Sequence, residues 1–204
     1  MLYQSSILPQ YEYMGRGKPP KTIADFKGKR LRALGGMGRS AKAIGAVPTT
    51  VPASEVYNAL ARGTVDAIGF PMTYAFSAYK VDEVAEWYTT NMSLGTVNCP
   101  IVFNKGSYDK LPQQYKDLLE ELKLPASKMQ QESYAKKDRE NLAAWPKKMT
   151  PITIEPAAMA EFRKQGGEPL WNDWVKENEG KLPAQELLDL VLKSADEACK
   201  KYCK

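Results

Sequence analysis

The chain has 204 residues, room for one large or two small domains, and its 43% apolar and 26% charged content is that of an ordinary globular protein. The net charge of +5 is dispersed, with no basic stripe interleaved with aromatics, which excludes the usual nucleic-acid footprint; no run approaches the ~18 consecutive apolar residues of a membrane span. Histidine is absent, so the commonest general base and metal ligand are missing, and Cys99, Cys199 and Cys203 form neither a disulfide framework nor a zinc spacing.

In chain order, residues 1–20 read as extended (Tyr3 to Leu8, then Tyr11 to Met14), ending in a Gly/Pro-rich turn. The opening stretch LYQSSILPQYEYMG lacks the basic start and long apolar core of a signal peptide, so read literally the chain stays in the cytoplasm. Lys29 to Leu34 alternates with period two, predicting a strand, and Gly35-Gly36 lead into a helix from about Gly38 to Ile44 that stops at Gly45. Pro48 to Val51 is extended, Ser54 to Arg62 an amphipathic helix, Thr64 to Ile68 a buried strand and Met72 to Tyr79 helical. Val84 to Thr90 and Cys99 to Asn104 predict further strands.

A long helical region runs from Pro112 to about Trp145, with Pro125 expected to kink or break it. Pro151 to Ile154 predicts one more strand, and amphipathic helices near 157–178 and 183–202 close the chain. Strands separated by helices predict an α/β fold with a mainly parallel sheet.

Arg32 falls at the C-terminal end of its strand, beside a glycine turn that opens a helix. In open α/β sheets ligands settle in that crevice; glycines admit close backbone approach, and a helix start favours an anion. The planar fork of arginine matches the two oxygens of a carboxylate. A surface arginine on an edge strand, alternating with Arg30, is the plainer alternative.

The block around Arg32 resembles the solute-binding proteins of TRAP transporters, the DctP family. The matching pieces are Asp25-Phe26-Lys27-Gly28, Lys29 to Arg32, Gly45-Ala46, Ser54 to Leu60, Gly63-Thr64-Val65-Asp66-Ala67 and Lys80 to Val84. The segment Asn104 to Pro112, the long helix after it, Pro169-Leu170-Trp171 and Trp174-Val175 extend the likeness over about 180 residues. The resemblance implies a periplasmic-binding-protein-like second lobe with hinge strands, a long kinked helix and C-terminal helices. It places the second lobe at residues 1–96 and 127–160, the hinge strand and a remnant of the first lobe at 97–126, and C-terminal helices packing near the hinge at 161–204. It further implies that the first lobe and a signal peptide precede these residues in family members, and that the whole protein is periplasmic.

On the same resemblance, Arg32 binds the substrate carboxylate, with Gly35, Gly36 and Met37 lining that end and Arg16 a second cation. Phe70 departs from the family pattern: in sialic-acid-binding relatives an asparagine precedes the proline that is Pro71 here. An apolar ring removes a hydrogen-bond donor and adds stacking surface, which argues against a sugar acid and for a less polar carboxylate, aromatic or branched. Packing between strand and helix is the bland account of Phe70. Tyr74, Asn91 and Trp87 are candidate wall residues, while Glu55 and Tyr57 read as structural, and Trp171 and Trp174 as packing anchors.

The expected partners are a small-molecule carboxylate and the membrane subunits of a TRAP permease, with no nucleic acid, no metal, no cofactor and no catalytic residue. Two other readings stand beside it. One is an inactive or oligomeric truncated fragment. The other is an α/β enzyme, for which Cys99 is the sole candidate nucleophile and has no histidine to activate it.

Overall fold

The computed structural model describes residues 2–202, with side chains from residue 8 to residue 201. Its strands are β1 (Leu2–Ile7), β2 (Tyr11–Gly15), β3 (Arg30–Arg32), β4 (Val47–Thr49), β5 (Ala67–Pro71), β6 (Trp87–Thr89), β7 (Asn98–Val102) and β8 (Thr150–Ile152). Its helices are α1 (Gly35–Ala43), α2 (Val56–Ala61), α3 (Tyr74–Ala78), α4 (Lys105–Asp109), α5 (Gln113–Ala144), α6 (Pro156–Gly166), α7 (Glu168–Glu177) and α8 (Ala184–Tyr202).

Six strands form one sheet in the order β4-β3-β5-β2-β6-β8. β3 runs parallel to both β4 and β5, and β6 is parallel to β8. β2 alone is reversed, antiparallel to β5 on one side and to β6 on the other. The expected mainly parallel sheet therefore contains one strand that enters from the opposite end.

Side chains alternate across the sheet, so each strand feeds two cores. Met14, Ile68, Phe70 and Tyr88 face one side, where Val56 and Leu60 of α2, Phe76 of α3, and Trp145 cover them. Tyr13, Leu31, Ala67 and Trp87 face the other, packed with Ala41 and Ile44 of the α1 region, Ile154, and Phe162 of α6. At Gly15 a Cβ would come within 2.4 Å of the Trp87 ring and 2.5 Å of the Asp66 carbonyl oxygen, so only glycine lets β2 pass there.

β1 pairs antiparallel with β7 in a separate two-stranded sheet. Residues 2–7 thus pair with a strand that lies within the 97–126 segment. The partner of a strand is set by distant residues, and an extended segment does not carry that choice locally.

α5 runs unbroken across Pro125, so of the expected kink or break the break does not occur. Proline removes one ladder hydrogen bond, while long helical arms on both sides propagate cooperatively. The first two-thirds of α5 is open to solvent: Tyr115, Leu118, Leu122, Leu124 and Met129 are all exposed. Its C-terminal third docks on α3. Asp138 accepts hydrogen bonds from the Thr73 amide (3.1 Å) and hydroxyl (2.8 Å), and the Asn141 amide donates to Thr73 Oγ1 (2.9 Å) and Ser77 Oγ (3.2 Å).

α6 and α7 pack on α1, with Gly166 against Ser40, Arg39 paired to Glu177 at 3.3 Å and Arg163 lying over the Trp171 ring at 5.2 Å. Trp171 and Trp174 are half-buried there, on the α1 side of the six-stranded sheet. α8 then packs on α7. Cys199 is disulfide-bonded, against the expectation that the three cysteines make no disulfide framework, while Cys99 is a free thiol and Cys203 lies outside the described residues.

Candidate functional site

Arg32 ends β3 in register with Ile68 of β5 and Thr49 of β4, so it sits between two neighbours and not on an edge. The residue is 5% exposed. The Nε donates to the Val51 carbonyl at 3.2 Å and one terminal nitrogen to the Gly69 carbonyl at 3.0 Å. The guanidinium lies over the Phe70 ring, 4.5 Å from its centroid. Among the described residues no carboxylate lies within ion-pair distance of it. Burial pushes its pKa down, opposed by the nearby Tyr11 and Tyr79 phenols. A desolvated cation held in place by neutral carbonyls and lacking a counter-ion is poised for an anion.

Arg30, two residues earlier, behaves differently. It forms an exposed fork on Asp66, with contacts of 2.6 and 3.2 Å, and the Asp66 carboxylate also accepts from the Arg30 backbone amide at 2.7 Å. The two side chains share one face of β3, and position along the strand separates them: Arg30 meets Asp66 at one end, and Arg32 meets the Val51 and Gly69 carbonyls at the other.

Gly35 and Gly36 begin α1, separated from β3 by Ala33 and Leu34, and are exposed. A Cβ on either would meet nothing within 4 Å, so the space at this helix start is open, and no side chain caps its first N–H groups. Gly35 has φ +54, a conformation that glycine adopts without strain. Met37 is half-buried against the core on the α1 side.

Phe70 is 5% exposed, stacked on Tyr79 at 5.2 Å and edge-on to Phe76 at 5.9 Å. With one face under Arg32, it positions the guanidinium and belongs to the core. Tyr74, at the start of α3, is half-buried and stacked on Tyr134 of α5 with centroids 4.7 Å apart and planes inclined by 21°. Burial, the adjoining Tyr134 phenol, Tyr11 and Cys99 together hold the Tyr74 phenol well above its ordinary pKa.

The other expected positions lie elsewhere. Arg16 follows β2 at the end of the sheet where β5 starts; it is exposed, donates to the Ala61 carbonyl at 2.7 Å and pairs with Glu86 at 3.6 Å. The antiparallel entry of β2 carries it away from the Pro71 end. Asn91 spends both amide atoms on the backbone of Ile154, donating at 2.7 Å and accepting at 2.8 Å, and so clasps the chain beyond β8. Trp87 is fully buried, with its indole N–H on the Arg16 carbonyl, which makes it a core residue and not a wall.

Two residues that sequence reasoning passed over belong to this region. Tyr11 begins β2 opposite Pro71; burial raises its pKa, Arg32 opposes the rise and Cys99 adds to it. Glu12, next to it, is wholly buried and accepts from Gln10 (3.1 Å), Thr89 (2.5 Å), Met92 N (3.0 Å) and Ser93 N (2.8 Å). It ties the end of β2 to the 89–93 turn and so fixes Tyr11. Burial raises its pKa against those four donors. The one signal in the sequence was an acidic residue at an apolar strand position.

The model of one protein family, described as bacterial extracellular solute-binding protein family 7 (DctP), matches residues 12–178. A solute-binding protein from Albidiferax ferrireducens is 28% identical over 171 residues, covering 81% of this chain and 50% of its own length. The chain thus spans about half the length of that relative. A TRAP periplasmic solute-binding protein from Rhodoferax ferrireducens, solved with bound malonate, superposes with a TM-score of 0.80 at 24% identity, over 100% of this chain and 63% of the other. A marine-metagenome TRAP solute-binding protein described as specific for aromatic acid ligands, in complex with 3-hydroxybenzoate, gives 0.81 at 23% identity, over 100% of this chain and 64% of the other.

Proposed function

Because the chain belongs to the DctP family of bacterial extracellular solute-binding proteins, we propose that it supplies the carboxylate-gripping part of an extracytoplasmic receptor, one that binds a small organic acid through Arg32 and delivers it to a TRAP-type permease. The observation that carries this reading is Arg32, a buried residue whose guanidinium is oriented by two carbonyls and the Phe70 ring, with no acidic partner among the described residues. A carboxylate from solution would complete its hydrogen bonding and neutralise its charge in one step, beside the open start of α1.

The ligand is held and released unchanged, with no metal or cofactor. In the receptor the six-stranded sheet forms one lobe, and the β1–β7 ribbon with the 97–126 segment leads into the other. Closure of the two traps the acid and offers the permease a closed shape. The apolar surroundings of Arg32 suit an acid with an aromatic or branched body better than a sugar acid; malonate and 3-hydroxybenzoate are the acids named for the two structural neighbours.

The test is titration calorimetry of the chain with a panel of organic acids against its Arg32→Lys variant. Lysine keeps the charge but loses the fork, so binding should weaken at least about tenfold. Unchanged affinity sinks the role of Arg32.

A second reading, self-association, is favoured by the exposed Tyr115, Leu118 and Leu122 along α5 with Ile101 and Val102 of β7. Elution as a monomer across a wide concentration range in gel filtration would count against it.

A further inference from the structure

Two segments carry the chain between the six-stranded sheet and the β1–β7 ribbon: residues 8–10, which precede β2, and residues 90–97, which follow β6. They run side by side and extend the ribbon's pairing down to the sheet. The Leu8 amide donates to the Val97 carbonyl at 3.0 Å, the Tyr11 amide to Gly95 at 2.9 Å and the Leu94 amide to Tyr11 at 3.0 Å, with the Thr96 hydroxyl on the Leu8 carbonyl. A ribbon of two strands is marginal by itself, so its angle to the sheet depends on what grips its root. That root lies at the Arg32 end of the sheet, where Tyr11 stands opposite Pro71 and β3 and β5 finish side by side.

Glu12 sits at the root and is wholly buried. Its Oε1 accepts from Gln10 Nε2 (3.1 Å) and the Ser93 amide (2.8 Å), its Oε2 from the Thr89 hydroxyl (2.5 Å) and the Met92 amide (3.0 Å). One donor lies in the first segment, two in the second and one on β6, so a single side chain ties both segments to the sheet. Among the described residues no cation lies within ion-pair distance of it. Packing alone does not call for a charge here, since an apolar side chain fills such a space at less cost. Only a carboxylate offers acceptors for two backbone amides and two side chains at once.

The turn that Glu12 grips is one the chain does not adopt freely. Ser93 has φ +43, a left-handed conformation that costs a non-glycine residue energy, and Gly95 has φ +125. Holding the Met92 and Ser93 amides keeps Ser93 in that conformation, which sets the direction in which residues 94–97 leave the sheet. Resting on the reading of sheet and ribbon as parts of two lobes, the geometry points to Glu12 as the positioning residue of the hinge. It fixes the angle between sheet and ribbon, and through it the approach of the other lobe to an acid on Arg32, without touching the acid.

The experiment reads that angle directly. Cys99 of β7 is an exposed free thiol and takes one spin label on the ribbon; Lys42→Cys, at an exposed position near the end of α1, takes the other on the sheet side. Double electron–electron resonance should give one narrow distance distribution in this labelled chain. Glu12→Gln keeps the shape of the side chain but turns an NH2 group towards one of the backbone donors. It should broaden the distribution at least about twofold, with circular dichroism unchanged. A residue that served stability alone would lower the unfolding midpoint and leave the width as it was.

Hydrogen exchange on the unmodified chain supplies a second reading that needs no variant to fold. The Met92 and Ser93 amides should exchange within about tenfold of the β5 amides, although Ser93 is exposed. An unbroadened distribution in Glu12→Gln, or rapid exchange of both amides in the unmodified chain, overturns the assignment. Both measurements are made without acid, so failure of every acid to bind overturns the reading of Arg32 and leaves the role of Glu12 standing.

Discussion

Arg32→Met separates binding from stability at the centre of the site. Methionine approximates the length of the arginine stem and fills the same space over Phe70 without charge. The loss side contains two hydrogen bonds from a charged donor to the Val51 and Gly69 carbonyls, about 1.5–3 kcal/mol each, and a cation–π contact of about 0.5–2 kcal/mol. The gain side is relief from burying an uncompensated guanidinium, an effective penalty of several kcal/mol. The two nearly cancel, so urea unfolding followed by circular dichroism should place the variant within about 1.5 kcal/mol of the parent, whereas truncating an equally buried Leu or Met costs about 2–5 kcal/mol.

Ligand linkage should change completely. A carboxylate at a hundred times its Kd stabilises the parent by about 2.7 kcal/mol, a rise of roughly 5–10 °C in Tm for a domain of this size, and the variant should show no rise. A loss above about 3 kcal/mol with an intact ligand-induced rise would mean that Arg32 is a structural pillar, and would refute the argument from its missing counter-ion.

The close packing at Gly15 makes Gly15→Ala a sharp test of the sheet: the added Cβ meets the buried Trp87 ring and the Asp66 carbonyl, so unfolding should show a loss of about 1–3 kcal/mol. At Asp66, burial pushes the pKa up, but the hydrogen bonds and charge of Arg30 outweigh it and hold the carboxyl below its ordinary value of 3.8. Its contribution is therefore fully present above that value and is lost as the pH falls through the folded value. Asp66→Asn should cost about 0.5–1.5 kcal/mol at pH 7, reduced by solvent screening, and should flatten the acid limb of the stability–pH curve in that window.

Much of the site was legible locally. The period-two run through Arg32, the Gly35-Gly36 turn and the helix after it are short-range patterns, and they put an arginine at a strand end beside an open helix start. Alternation puts Arg30 and Arg32 on the same face of β3, so their different roles were not legible locally; Asp66 stands at the Arg30 end of the strand and the core at the Arg32 end. The sequence marked Phe70 as an apolar ring beside the site, but its engagement by Arg32, Tyr79 and Phe76 is a product of packing.

The set of elements and the family could be read along the chain, because periodicity, glycine punctuation and motif order are properties of neighbouring residues. Which ends of those elements meet is set by long-range packing. The reversed entry of β2 delivers Tyr11 to the Arg32 end and leaves Arg16 at the other, and the Ile154 backbone takes both amide atoms of Asn91. The docking of α5 on Thr73 brings Tyr134 against Tyr74, and β1 pairs with β7 outside the main sheet. Each of these depends on hydrogen bonds and ring contacts between residues far apart in the chain, and no local pattern specifies such pairings.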